Sequence, residues 1–122
     1  MSPYFHLSIG VRSIESSVDF FTRVLTATVQ HQDPSGYVNI DFFGTQITLK
    51  QNPLIEPNLP DLHFGINLGI AEFNQLSENI LMQDPKCISM APTVVDPDTK
   101  LERKKMYVKC PTGYLVEIKG YK

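Results

Sequence analysis

Two histidines and one glutamate of this chain have the side chains and the placement expected of metal ligands. His6 and His63 each lie in a short segment whose apolar residues alternate with polar ones, and both stand on the polar side of that alternation. Glu117 lies in a third segment of the same kind, near the end of the chain. Such alternation is typical of a strand with one buried face. Two imidazoles and one carboxylate form a set that leaves open positions on a divalent ion.

The elements that carry these residues occur in the same order twice. In each half the pattern predicts a strand, an amphipathic helix and three further strands. In the first half these elements are predicted at 4–11, 14–25, 27–32, 37–43 and 46–51. In the second half they are predicted at 62–69, 71–82, 87–90, 105–110 and 114–119. The sequence therefore predicts two modules of like topology, related by an internal repeat.

The spacing of equivalent residues shows where the two halves differ in length. His63 follows His6 by 57 residues, whereas Gly113 follows Gly44 by 69 residues. The second half therefore carries a 12-residue insertion, and the polar stretch 96–103 is the natural place for it.

Thr48 occupies the position in the first half that Glu117 occupies in the second, because each follows its glycine by four residues. If the two halves close their sheets around a common cavity, a pseudo-twofold axis brings His6, His63 and Glu117 together. Thr48 then stands where a fourth ligand would lie. We expect Thr48 to contact the substrate instead.

Length and composition limit the class of protein. A chain of 122 residues suits one domain and leaves little room for a second core. Three prolines in 52–60 cannot continue a strand ladder, so they predict a linker between a first module of about 1–56 and a second of about 57–122. The formal net charge is -2 and the basic residues are scattered, which predicts no nucleic-acid partner.

The sequence also predicts the setting of the protein. No apolar run is long enough to span a bilayer, and the first residues lack the pattern of a secretory signal, so we expect no membrane partner and a cytoplasmic location. The cysteines, Cys87 and Cys110, lie 23 residues apart and outside any C-x-x-C pattern. They are predicted to be reduced, partly buried thiols.

The chain resembles the vicinal oxygen chelate superfamily, which includes glyoxalases, bleomycin-resistance proteins and extradiol ring-cleaving dioxygenases. The resemblance covers nearly the whole chain. It implies an α+β fold in which two βαβββ modules form a mixed, barrel-like sheet around a metal cavity. The segments that carry it are FHLSIGV at 5–11, DFFTRVL at 19–25, DFFG at 41–44, LHFGI at 62–66 and PTGYLVEIK at 111–119.

The resemblance implies a role for each of the residues singled out above. The equivalents of His6, His63 and Glu117 bind a divalent metal in that superfamily, with Fe(II) favoured here and Mn(II), Ni(II) or Zn(II) as alternatives. Glyoxalase-like members place Glu or Gln where this chain has Thr48. The threonine therefore argues against glyoxalase chemistry.

A shorter motif near the end is similar to that of extradiol dioxygenases. Tyr107 precedes Glu117 by ten residues with a Pro-x-Gly between them, which implies that Tyr107 is a catalytic residue that contacts the substrate. The chain departs from the motif at Cys110, and it has no histidine shortly before Tyr107 to serve as the acid-base residue. Proton transfer would then fall to a lysine of the inserted loop, at position 100, 104 or 105, or to no residue.

Lys105 and Lys109 share the face of Tyr107, and we expect them to bind substrate. A cation beside a metal ion needs a partner such as an anionic substrate. Three functions remain open at this point. They are a metal-dependent ring-cleaving dioxygenase acting on a small molecule with vicinal oxygens, a metal-dependent isomerase or lyase, and a metal-free drug-binding protein. Modules of this kind pair within one chain or exchange between two chains, which leaves the oligomeric state open, and of these states we expect a homodimer.

Overall fold

The structure is a computed structural model that describes residues 2–55 and 62–122. The chain divides into two compact units, 1–58 and 59–122, and each is described here by itself. Part of the proline-rich segment predicted as a linker lies outside the described residues.

The first module consists of one helix and a four-stranded mixed sheet. The strand order is β1-β4-β3-β2, with β1 parallel to β4 and the other neighbours antiparallel. The helix continues into a π-helical turn before the chain enters β2. The elements are β1 (His6–Val11), α1 (Ile14–Asp19), the π-helical turn (Phe20–Val24), β2 (Thr28–Gln32), β3 (Val38–Phe42) and β4 (Thr45–Gln51).

Local sequence signals explain where these elements begin and end. Ser13 caps α1, since its hydroxyl oxygen accepts a hydrogen bond of 3.2 Å from the backbone N–H of Ser16. The β3–β4 turn has positive φ angles at Phe43 (50°) and Gly44 (87°), and the Asp41 carboxylate accepts from the N–H of Gly44 at 2.8 Å. The turn thus lies one residue earlier than the sequence predicted, because β4 already begins at its threonine.

The core of the first module lies between the helical segment and one face of the sheet. Phe21 is fully buried and packs edge-on against both Phe20 and Phe42. Aliphatic side chains of the inward face of the sheet complete the core: Val11, Ile40, Ile47 and Leu49. The opposite face of the sheet carries His6 and Thr48, as the alternation predicts.

The second module repeats this topology with a longer helix. Its strand order is β5-β8-β7-β6, with β5 parallel to β8 and the other neighbours antiparallel. The elements are β5 (His63–Gly69), α2 (Ile70–Gln83), a 3-10 turn (Pro85–Cys87), β6 (Ile88–Val95), β7 (Arg103–Lys109) and β8 (Leu115–Tyr121). The predicted place of the insertion, 96–103, is corrected, because the extra residues of the second half are spread over a longer helix, longer β6 and β7 strands and the connections around them.

Helix α2 packs closely against β8. A Cβ atom placed on Gly120 would lie 2.5 Å from the Cβ of Phe73, so the glycine provides the room that this aromatic residue fills. Further buried side chains of the helix and the sheet complete this core: Leu76, Ile80, Met106, Val108, Val116 and Ile118. The opposite face of the sheet carries Tyr107 and Glu117.

Cys87 and Cys110 are free thiols of the second module, as predicted, and both are buried rather than partly buried. Burial raises the pKa of Cys87 to about 11 and raises the pKa of Cys110 as well.

The predicted α+β class with two βαβββ modules is confirmed. Each module forms a four-stranded mixed sheet, and neither sheet is closed. Over residues 2–55 and 62–122, neither helix has the length and apolar character needed to cross a bilayer.

Candidate metal centre

His63 and Glu117 meet on the open face of the second sheet. Their strands, β5 and β8, are parallel neighbours, and the register places His63 beside Leu115 and Gly65 beside Glu117. His63 Nε2 lies 3.5 Å from Glu117 Oε1. The Glu117 side chain is 12% exposed and the His63 side chain 49% exposed, so the carboxylate lies deeper than the imidazole.

This pair satisfies the requirements of two ligands on one metal ion. Imidazole nitrogen and carboxylate oxygen bind divalent metals at about 2.0–2.2 Å, so two donors on one ion lie roughly 3–3.5 Å apart. The distance between His63 Nε2 and Glu117 Oε1 falls at the upper end of that interval. The residues present therefore fit a divalent ion.

Gly65 permits the close approach of β5 to β8 at this point. A Cβ atom on Gly65 would lie 1.7 Å from the carbonyl oxygen of Glu117, which no real structure allows. A side chain here would force the two strands apart. The spacing of the ligand pair thus depends on the absence of a side chain at residue 65.

Tyr107 stands opposite Glu117 in the antiparallel pairing of β7 with β8. Its hydroxyl donates a hydrogen bond to the Glu117 carboxylate, and this bond is the main cause that raises the pKa of Tyr107 above its usual value. The Tyr107 ring also contacts the His63 ring edge-on, with centroids 5.7 Å apart. The structure therefore brings three of the predicted site residues together within the second module.

Lysines surround this group on the same face. Lys105 Nζ lies 5.9 Å from the centre of the Tyr107 ring. Lys119 Nζ lies 3.7 Å from Glu117 Oε1. Lys109 is exposed and stands in the row of Leu115, beside His63.

The other two lysines considered for proton transfer lie elsewhere. Lys104 pairs with Gly120, on the face that packs against α2. Lys100 is exposed in the turn between β6 and β7. Of the three, the structure places Lys105 beside Tyr107.

His6 lies in the first module and is held by an amide. Its Nδ1 atom is 2.9 Å from Gln46 Oε1, so Nδ1 carries the proton and Nε2 is left as the donor for a metal. Gln46 Nε2 donates in turn to Gln30 Oε1 at 3.2 Å. A surface cleft of about 350 Å³ borders His6, together with Tyr4 and Gln46.

Thr48 has a partner of its own in the first module. It is buried, and its hydroxyl donates to Asn39 Oδ1 at 2.7 Å. Asn39 faces Thr48 across β3 and β4 as Tyr107 faces Glu117 across β7 and β8. The equivalence of Thr48 and Glu117 predicted from spacing is therefore also an equivalence of register.

Over residues 2–55 and 62–122, the structure holds no group of three or more His, Cys, Asp or Glu side chains placed to bind a metal ion. The second module supplies two of the three predicted ligands, and the first module supplies His6.

Sequence reasoning missed the roles of Gln46 and Asn39 and gave Lys119 no role. The alternation pattern could have identified Gln46 and Lys119 as site residues, since each shares a face with a singled-out residue two positions away. The contact of Asn39 depends on strand register, which the alternation leaves open.

Comparison with solved structures defines the class of fold as that of vicinal oxygen chelate proteins. A glyoxalase/bleomycin resistance/dioxygenase protein from Alicyclobacillus acidocaldarius matches with a TM-score of 0.81 and 22% identity over 98% of this chain and 91% of its own. A virulence protein from Salmonella typhimurium matches with a TM-score of 0.69 and 20% identity, over 100% and 98%. No protein-family model and no curated protein sequence matches the chain.

A further solved structure of this fold contains a metal. It is a variant of the fosfomycin resistance protein FosX from Listeria monocytogenes, in complex with Mn(II) and 1S,2S-dihydroxypropylphosphonic acid. Its TM-score is 0.74 at 15% identity, over 100% of this chain and 92% of its own. The fold implied by the sequence resemblance is thereby confirmed.

Proposed function

We propose that this protein is a divalent-metal-dependent enzyme of the vicinal oxygen chelate superfamily. It holds one ion on His6, His63 and Glu117 and acts on a small substrate that carries vicinal oxygens. The observation that carries the proposal is the His63–Glu117 pair, whose donor atoms lie 3.5 Å apart. The two modules then form one functional domain.

The surroundings of the ligands support this assignment. Tyr107 stands opposite Glu117, and a hydrogen bond from its hydroxyl to the carboxylate would orient this ligand. Gln46 fixes the tautomer of His6 and leaves Nε2 as the donor atom. Partners of this kind orient ligands and increase metal affinity.

A divalent ion bound here acts as a Lewis acid and lowers the pKa of a hydroxyl group that it binds. Two histidines and one carboxylate are typical of Fe(II), and Mn(II), Ni(II) and Zn(II) also accept such donors. The Mn(II) in the FosX structure supports a divalent ion in this fold.

Two chemistries are consistent with this metal centre. Extradiol ring cleavage of a catechol-like substrate is favoured by the position of Tyr107, whose ring contacts His63 and whose hydroxyl reaches Glu117. Isomerase or lyase chemistry is favoured by Lys105 and Lys119, since these cations stabilise negative charge that develops on a substrate oxygen.

Metal affinity tests the ligand assignment. We expect the purified chain to bind one Mn(II) or Fe(II) ion, and His6→Ala, His63→Ala and Glu117→Gln each to weaken binding at least about 100-fold. The matched control is His31→Ala, because His31 Nε2 also lies near a carboxylate, 3.6 Å from Asp33 Oδ1. Isothermal titration calorimetry measures these affinities. Retention of stoichiometric metal by the His63 variant would contradict the assignment.

Oxygen uptake then separates the two chemistries. Ring cleavage requires oxygen consumption when the Fe(II)-loaded protein meets a panel of catechols. Metal binding without uptake would favour isomerase or lyase chemistry over ring cleavage. Tight binding of a small molecule to protein that never binds metal would establish the metal-free alternative and overturn the proposal.

We also propose a homodimer, in which modules pair within or between chains. Light scattering coupled to size exclusion measures the mass directly, and a monomer at all concentrations would contradict this.

A further inference from the structure

Two lysines lie directly opposite each other on the face of the second sheet that carries Tyr107 and Glu117. The register pairs Lys105 of β7 with Lys119 of β8, in the row next to Tyr107 and Glu117 on that face. Side chains opposite each other on antiparallel strands have Cβ atoms about 4.5–5.5 Å apart, and like charges there are destabilising. A negative charge beside this lysine pair would therefore relieve the repulsion.

Both ammonium groups lie close to the row of Tyr107 and Glu117. Lys105 contacts the Tyr107 ring, and Lys119 lies 3.7 Å from Glu117 Oε1. In the part of the chain that the structure describes, Glu117 is the one carboxylate that pairs with either lysine. One carboxylate against two ammonium groups leaves the cluster positive, and a divalent ion on Glu117 would make it more positive.

The fold itself does not require the second cation. In the first module Lys50 follows Thr48 by two residues, as Lys119 follows Glu117. The counterpart of Lys105 there is Tyr37, which borders a cleft of about 310 Å³ together with Lys50. One module thus has a lysine and a tyrosine where the other has two lysines.

We propose that Lys105 and Lys119 together bind an anionic oxygen group of the substrate, a carboxylate, phosphonate or phosphate, beside Glu117. The inference rests on the proposed function, because the anionic group is part of the substrate that binds the metal ion. Each ammonium group has three donors and forms charge-assisted hydrogen bonds to such oxygens. The anion also removes the repulsion between the two lysines.

The test is a titration of the metal-free protein in which NMR monitors binding. The probes are methylphosphonate, inorganic phosphate and acetate at constant ionic strength, with neutral 1,2-propanediol for comparison. We expect the double variant Lys105→Gln/Lys119→Gln to bind the anions about tenfold or more weakly than the wild type. The tightest of the three anions identifies the group.

The matched control is Lys104→Gln, which removes one charge from the same strand on the opposite face. We expect its anion affinity to stay within about twofold of the wild type. A double variant that binds the anions as tightly as the wild type would overturn the proposal. Equal binding of the neutral diol and the anions by the wild type would overturn it as well.

Thermal unfolding shows that the variants fold and gives a second readout. Without an anion, loss of the repulsion raises the Tm of the double variant by about 1–4 °C. Phosphate raises the Tm of the wild type but leaves that of the double variant unchanged. A phosphate effect of equal size in both proteins contradicts the lysine pair as the binding site.

Mn(II) affinity separates this inference from the proposed function. The double variant is expected to bind Mn(II) within about threefold of the wild type, because it retains all three ligands. Wild-type protein that binds anions through the lysine pair but no metal would refute the proposed function alone. If the protein binds metal and the double variant binds anions as tightly as the wild type, only the lysine-pair proposal is refuted.

Discussion

The two modules share a topology but carry different residues at equivalent positions on their open faces. In the first, Thr48 donates to Asn39. In the second, Tyr107 donates to Glu117. A neutral pair in one module thus corresponds to a pair with an anionic acceptor in the other.

The histidines differ in the same way. The neighbour of His6 in the register is Gln46, whose Oε1 accepts a hydrogen bond from His6 Nδ1, whereas the neighbour of His63 is Leu115. His63 is oriented instead by Glu117 and the ring of Tyr107. The repeat therefore preserves the backbone frame but not the residues on it. The first module supplies a histidine that is hydrogen-bonded to a glutamine, and the second supplies a histidine beside a carboxylate.

The largest expected effect comes from making the second module resemble the first. Glu117→Thr removes the carboxylate, so we expect Mn(II) affinity to fall at least about 100-fold. Thr48→Val removes a hydroxyl that is already bound to Asn39, and metal affinity should change by less than about threefold. Electron paramagnetic resonance of free Mn(II) measures both. Equal losses in the two variants would contradict the division of roles.

A second difference concerns the backbone at the residue opposite Thr48 or Glu117. Ser8 stands beside Thr48 with a side chain, whereas Gly65 stands beside Glu117 without one. Gly65→Ala places a Cβ atom against the Glu117 carbonyl oxygen, so we expect a loss of about 3 kcal/mol in the free energy of unfolding. Ser8→Ala is the control and should cost less than about 0.5 kcal/mol. Urea unfolding measures both, and an equally stable Gly65 variant would refute the close approach.

A smaller effect is expected at Gln46. Gln46→Leu gives His6 the same neighbour that His63 has, and the imidazole loses its orienting acceptor. We expect metal affinity to fall about 10-fold to 100-fold without loss of folding. Calorimetric titration measures the affinity and circular dichroism the fold. An unchanged affinity would show that Gln46 does not position the ligand.

Much of the fold was predictable because alternation and helical spacing are local signals. His6 and Thr48 fall on the predicted polar faces, and the positive φ angles of Gly44 (87°) and Gly113 (110°) agree with their equivalence. The full length of β6 was not predictable, because Pro92 interrupts the alternation. The strand tolerates this proline since it lies at the sheet edge, where the pairing is irregular.

The sequence by itself determined the order of elements, the repeat and the candidate residues, because each of these depends on side-chain type and spacing along the chain. The tertiary structure decided which side chains meet. It placed His63 Nε2 at 3.5 Å from Glu117 Oε1 and set Lys105 opposite Lys119. It also paired the Thr48 hydroxyl with the Asn39 side chain in a hydrogen bond. These contacts follow from strand register and the close approach of two backbones, and a pattern along one strand does not specify its neighbour.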